Sequence, residues 1–179
     1  ILDVENGEII ISTNELNIGL MDGDYRHYLN VLEGNEAPFK DIHYSGYTKQ
    51  RGMTFFGIMK RTDPITLEET EVINGIVLIR VNTGATVEPL VQEWPGRGDT
   101  GESLLVRREG NHLAFLNNTR YFNDSALKVS VPVASLLPES FMLDAKEEGI
   151  IEGIDYRGTN VLLAFRYVPL LKWGLIVKQ

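Results

Sequence analysis

Short runs of alternating apolar and polar residues, cut by turn signals, predict a chain built mainly of strands with a few short helices. The opening "ILDVENGEIIISTN" reads as two β segments about Asn6-Gly7, the dipeptide that most readily supplies positive φ in a tight hairpin. The same grammar returns in "LVRREGNHLAFLN", where a strand from Leu104 turns at Glu109-Gly110-Asn111 into a second strand through Leu113, Phe115 and Leu116. Each opening hairpin precedes a helical segment, "DYRHYLNVLEG" in the first half and "PESFMLDAKEEG" in the second, where Pro138 and Glu139 suit a helix start. An antiparallel pair then closes each half. In the first it is "MTFFGIMKR" with "NGIVLIRVN" about the charged loop "TDPITLEETEV"; in the second it is "GIIEGIDYRG" with "NVLLAFRYVP", followed by "KWGLIVK". Ile, Val, Phe and Tyr crowd these runs, as strands favour. Between the two copies, "TGATVEPLVQEWPGRGDTGE" starts as a short helix and ends in a Gly- and Asp-rich loop. The predicted fold class is α+β, with two small domains in tandem, residues 1–95 and 96–179.

Strand alternation also assigns faces. Met53, Phe55, Gly57 and Met59 share one side and Thr54, Phe56, Ile58 and Lys60 the other, and the Met/Phe side is the expected pocket or core face. Arg80 interrupts "GIVLIRV" on the face of Ile76 and Leu78. A buried charge persists only with a partner, so a protein acid, an anionic ligand or water at the strand end must answer it.

Composition narrows the class of function. With 179 residues, 43% hydrophobic and 23% charged, the chain is globular. A formal charge of -8 repels phosphate backbones, and the basic pairs Lys60-Arg61 and Arg107-Arg108 are isolated, so no nucleic-acid partner is expected. The absence of cysteine excludes disulfides, thiolate catalysis and Cys-ligated metals. No window reaches 18 uninterrupted apolar residues, and the start has neither Met nor a signal-peptide pattern, which reads as an excised part of something longer.

Several motifs invite a function and fit a plainer account better. "GRGDTG" matches G-x-G-x-x-G but lacks the preceding strand and following helix, so an interdomain turn is expected. His27, His43 and His112 form no metal-ligand pattern and are expected on the surface or at caps. Asp22-Gly23-Asp24 begins like a calcium loop without its later ligands and is expected to cap the helix that follows. Asn117-Asn118-Thr119 and Asn123-Asp124-Ser125 fit the glycosylation sequon, a pattern frequent by chance. No G-x-S-x-G elbow or acid pair is found, so neither catalysis, a cofactor nor a metal is expected.

Aromatic and cationic side chains concentrate in the first half instead: Tyr25, Arg26 and Tyr28 on one helix, Tyr44 and Tyr47 after it, then Arg51, Phe55 and Arg80. Two accounts stand. Guanidinium groups and aromatic walls suit a small anionic ligand, and the same residues suit amphipathic packing with polar tips in water.

The residues of the second half carry a family resemblance. "GRGDTGESLLVRREGNHLAFLN" resembles the G-x-T-G-E-x-x-L-V-x-R-x-G opening of the membrane-proximal domain of double Cache sensors, the tandem PAS-like extracytoplasmic regions of membrane-bound histidine kinases, chemoreceptors and cyclic-dinucleotide enzymes. "GIIEGIDYRGTNVLLAFRYVPLLKWGLIVKQ" resembles its closing strands, with Asp155-Tyr156-Arg157-Gly158 as a structural turn, and "NGIVLIRVNTGATVEPLV" is similar to the end of the membrane-distal domain. The resemblance implies two sheet-and-helix domains without the usual long N-terminal helix, flanking transmembrane helices, a homodimer, and a small ligand in the distal domain. Arg26-His27-Tyr28-Leu29 partly matches the R-x-W-Y element that holds a ligand carboxylate in amino-acid-binding members. Arg80 stands where their ammonium-binding aspartate aligns, which points to a carboxylate-like ligand in place of an α-amino acid. The competing expectations are a ligand-free spacer or dimerisation module, and a hydrolase or transferase with a nonlocal site.

Overall fold

Among the described residues two antiparallel sheets carry the β-branched and aromatic runs, one of three strands in the order β1 (Phe39–Tyr44), β2 (Arg51–Thr62), β3 (Glu69–Asn82), and one of six in the order β6 (Ser130–Pro132), β5 (His112–Phe115), β4 (Glu102–Glu109), β9 (Trp173–Lys178), β8 (Asn160–Val168), β7 (Glu148–Ile154). The structure is a computed structural model and describes residues 1–34, 38–46, 48–93, 98–133 and 148–179. Each sheet belongs to its own compact unit, Ile1–Asn82 and Thr83–Gln179. Among the described residues no helix is long and apolar enough to cross a membrane.

The first unit begins with the turn expected at Asn6-Gly7, present as a single bridged pair, Leu2 with Ile9, rather than as two strands. Gly7 has φ +78, and a Cβ there would lie 2.4 Å from Cγ of Tyr25, so both backbone and packing demand glycine. Leu2 also joins the sheet, its N–H donating to the Ile76 carbonyl at 2.8 Å. Then come α1 (Tyr25–Leu32), β1 (Phe39–Tyr44), β2 (Arg51–Thr62) and β3 (Glu69–Asn82). The apolar side of α1 supplies Tyr28, which is buried with Leu2, Ile9 and Ile76 and packs its ring, tilted by 54°, against Phe56 at 5.0 Å between ring centroids.

The strand face that packs is therefore the one with Phe56, a correction to the expected Met/Phe face. Phe55 and Met59 are exposed, and only Met53 of that set is buried. Cross-strand register explains the difference, because Thr54, Phe56 and Ile58 lie opposite Arg80, Leu78 and Ile76, and directly paired residues share a side. Nor does Asp24 cap α1. Its side chain makes no cap bond and pairs with Lys40, while Asp22 accepts the Asp24 N–H at 2.9 Å. His27, expected on the surface, is half-buried with its ring 5.4 Å from that of Phe56.

The second unit contains α2 (Val87–Gln92), β4 (Glu102–Glu109), β5 (His112–Phe115), β6 (Ser130–Pro132), β7 (Glu148–Ile154), β8 (Asn160–Val168) and β9 (Trp173–Lys178). The turn between β4 and β5 places Gly110 at φ +59, as its sequence predicts. The helix expected in "PESFMLDAKEEG" lies outside the described residues apart from its last two, Glu148 and Gly149, which open β7. Leu104, Val106, Leu113, Phe115, Val161, Leu163 and Ile176 form the core. Asn117 is buried and bonds the part of β4 that β5 does not pair, accepting from Leu105 N–H at 2.6 Å and donating to the Ser103 carbonyl at 3.0 Å, so its sequon serves packing in the folded unit.

Under the end of this sheet lies a buried ion cluster. Lys178, Glu102 and Asp155 are each nearly inaccessible, and Nζ of Lys178 lies 3.0 Å from Glu102 Oε2 and 2.7 Å from Asp155 Oδ2. Tyr156 donates to Glu102 at 2.9 Å, and its ring lies 3.8 Å beneath the ammonium. Asp155 also accepts from Arg157 Nε at 2.7 Å and from the Arg157 and Thr159 N–H groups, fixing the expected turn. Burial pushes the Asp155 carboxyl up, but the bonds from Lys178 and Arg157 outweigh it and hold it below the ordinary carboxylate value. A carboxylate depressed in the folded state contributes stability above its unfolded pKa of about 3.9 and loses it as pH falls through the folded value. Urea unfolding between about pH 5 and pH 2 is expected to show declining stability of this unit, with a flatter decline in Asp155→Asn.

Candidate ligand-binding site

Among the described residues hollows occur in the Ile1–Asn82 unit, and the bulge in β1 helps shape the first. Phe39 and Lys40 pair with Phe55 and Thr54, but His43 pairs with Gly52, so one extra residue is accommodated in β1. The extra residue brings His43 onto the side of Lys40, three positions away, against strict alternation. Both then reach Asp24: Lys40 forms the ion pair, and His43 Nε2 lies 3.7 Å from Oδ2. The His43 Nδ1 contacts the Asp41 carbonyl at 2.8 Å.

Where β1 turns into β2, beside the end of β3, a cleft of about 100 Å³ is lined by His43, Ser45, Thr48, Gln50, Arg51, Gly52, Met53, Thr54, Arg80, Val81 and Asn82. Its rim is fixed by local bonds. Ser45 donates through its N–H to the Gln50 carbonyl at 2.8 Å, its hydroxyl accepts from Thr48 N–H at 3.2 Å, and Gln50 accepts from Asn82 at 2.8 Å. Among the described residues two guanidiniums, one imidazole and several neutral hydrogen-bonding groups line the cleft, and none of these lining side chains is a carboxylate.

Arg80 is answered by a protein acid, one of the alternatives its sequence position left open. It pairs with Asp22, whose side chain is 1% exposed against 26% for Arg80. Burial opposes the charge on Arg80, yet the adjacent Asp22 carboxylate holds its pKa above the ordinary arginine value. Tyr28 stands beside this pair. Its buried hydroxyl forms no hydrogen bond of ordinary geometry, but burial first, and the Asp22 charge second, push its pKa well up.

The second hollow lies beside α1, a cavity of about 250 Å³ lined by Tyr28, Val31, Pro38, Phe56, Gly57, Ile58, Ile73 and Ile76. Among the described residues its ionisable group is the Tyr28 phenol.

The eight residues singled out from sequence are distributed unevenly over these features. Arg51 and Arg80 line the cleft, and Tyr28 lines the cavity. Arg26 is exposed on α1 and lines neither hollow. Tyr25 is occupied structurally, its hydroxyl donating to the Val4 carbonyl at 2.6 Å. Tyr44 and Phe55 are exposed on the sheet, Phe55 with its ring 6.1 Å from that of Phe39, and Tyr47 lies outside the described residues. His43, Ser45, Asn82 and the Asp22 partner were not foreseen. The β1 bulge hides His43, while Asp22 was assigned to a helix cap on its local sequence.

Solved structures that match this chain in fold include Cache-like extracellular sensor domains of histidine kinases and chemoreceptors. The ligand-binding domain of the Campylobacter jejuni chemoreceptor Tlp3, in complex with 4-methylisoleucine, matches 99% of this chain and 63% of its own at TM-score 0.64 and 12% identity. An extracellular domain assigned to a histidine kinase, rpHK1S-Z16, matches 99% of this chain and 68% of its own at TM-score 0.63 and 16% identity. The ligand-binding domain of Mlp24 with asparagine matches 97% and 64% at TM-score 0.57 and 14% identity. This chain spans about half the length of the matched histidine-kinase domains mmHK1S-Z3 and mmHK1S-Z2. At these identities the shared property is the fold, mostly antiparallel sheet in a sensor-domain arrangement. No family model and no curated protein sequence matches the chain.

Proposed function

We propose that this chain is the noncatalytic, extracytoplasmic ligand-sensing input region of a transmembrane signalling protein, a histidine kinase or chemoreceptor. In this account Ile1–Asn82 and Thr83–Gln179 correspond to the membrane-distal and membrane-proximal PAS-like domains, and the distal one binds a small anion. The observation that carries it is the cleft at the β1–β2 turn, lined among the described residues by Arg51, His43 and the Asp22-paired Arg80. Guanidinium groups pair with carboxylates in bidentate fashion, and at about 100 Å³ the cleft suits an anion of a few heavy atoms. The ligands bound by two structures of similar fold, 4-methylisoleucine and asparagine, support small-molecule sensing of this general kind. The ligand shifts a conformational equilibrium by the difference in its affinity for two states, and the output is read by parts of the receptor beyond the sensor.

Thermal unfolding in the presence of formate, acetate, pyruvate, lactate, malonate and succinate tests this function. At least one is expected to stabilise the first unit by about 2.7 kcal/mol at a hundredfold excess over its Kd, and Arg51→Gln is expected to abolish the gain. No stabilisation by any of the six would favour the spacer or dimerisation role.

A further inference from the structure

We propose that the cavity beside α1 is a second binding site, separate from the cationic cleft, for a small uncharged apolar molecule about the size of one substituted aromatic ring. Its walls are the Tyr28 and Phe56 rings, the side chains of Val31, Ile58, Ile73 and Ile76, and Pro38. Among the described residues no charged side chain lines it. A water held in a cavity needs about two to four polar partners, and an apolar cavity of roughly 150 Å³ is known to stay dry and take up benzene. The hollow here, about 250 Å³, is larger than that and similarly apolar.

The same lining disfavours an anion, because a carboxylate entering it would lose its hydration with the single Tyr28 hydroxyl as the donor to replace it. Access and depth are both present. Ile58 is 45% exposed, whereas Tyr28 and Ile76 are 0% and 1% exposed. Tyr28 additionally connects this site to the cleft, since its ring lines the cavity while its hydroxyl lies beside the Asp22–Arg80 pair. An apolar occupant pressing on that ring therefore has a direct route to Arg80.

Toluene and indole are the probes, with benzoate as the charged control. Titration of the whole chain is expected to give a saturable rise in Tm with toluene or indole, together with shifts of the Ile58 and Ile76 methyl resonances that benzoate does not reproduce. Val31→Trp, which fills the cavity from the helix, should remove both responses, and Ile58→Trp at the half-exposed rim provides the same block should the first variant fail to fold. Arg51→Gln should leave both responses intact, which separates this site from the anion cleft. Absence of a saturable response to both probes, or a response that survives in a folded cavity-filling variant, would overturn the proposal.

Discussion

Replacing Lys178 by methionine is expected to destabilise the Thr83–Gln179 unit by about 3–5 kcal/mol, the range for removing one partner from a buried ion pair. The reason is local. Lys178 is 1% exposed and stands between two carboxylates, Glu102 at 3.0 Å and Asp155 at 2.7 Å, which are themselves 2% and 1% exposed. Methionine keeps much of the volume but leaves two buried acids facing each other, with Arg157 the remaining cation on Asp155. Replacing all three charged residues together, as Lys178→Met with Glu102→Gln and Asp155→Asn, removes the uncompensated charge and should recover a substantial part of the loss. Urea unfolding monitored by amide exchange in β4 and β9 measures both variants. A loss below about 1 kcal/mol for Lys178→Met, the scale of an exposed pair, would show that the cluster is solvated.

Arg80→Met is expected to have the second largest effect, a loss of about 3 kcal/mol in the Ile1–Asn82 unit. Asp22 is the partner left behind, with its carboxylate buried beside Tyr28. The figure sits at the lower end because Arg80 itself retains 26% exposure and the pair is partly screened on that side. The double variant Asp22→Asn with Arg80→Met should be more stable than Arg80→Met alone, so the two substitutions are non-additive. Additive losses in that cycle would mean that the pair contributes no coupling, and the role of Asp22 as the answer to Arg80 would fail. Both substitutions also alter the cleft, so this cycle is read on stability and not on ligand response.

Elements with a clean local period were legible in the sequence. The β4–β5 hairpin follows from strand runs around Glu109-Gly110-Asn111, and α1 follows from apolar spacing in "DYRHYLNVLEG". Lys178 was legible in principle too, because it shares the face of Ile176 in "WGLIVK", and both are buried. Its acids were not, since Asp155 and Glu102 reach it from other strands and a turn, separations that no local pattern encodes. Arg80 declared its need for a partner, but finding Asp22 required knowing that the segment before α1 folds onto β3. The strand face was misassigned for a related reason. Phe residues occupy both sides of β2, so composition alone does not choose, and α1 decides by packing Tyr28 against Phe56. The bulge in β1 has no glycine or proline to announce it, and with it went the position of His43.

The most direct test of sensing by the first unit is an amide-resolved NMR titration of the whole chain with the six carboxylates from formate to succinate. The account predicts saturable shifts at Ser45, Arg51, Gly52 and Asn82 for at least one of them, with the amides of β4 and β9 unmoved. Saturable shifts confined to the Thr83–Gln179 unit, or no saturable shift with any of the six, would contradict it.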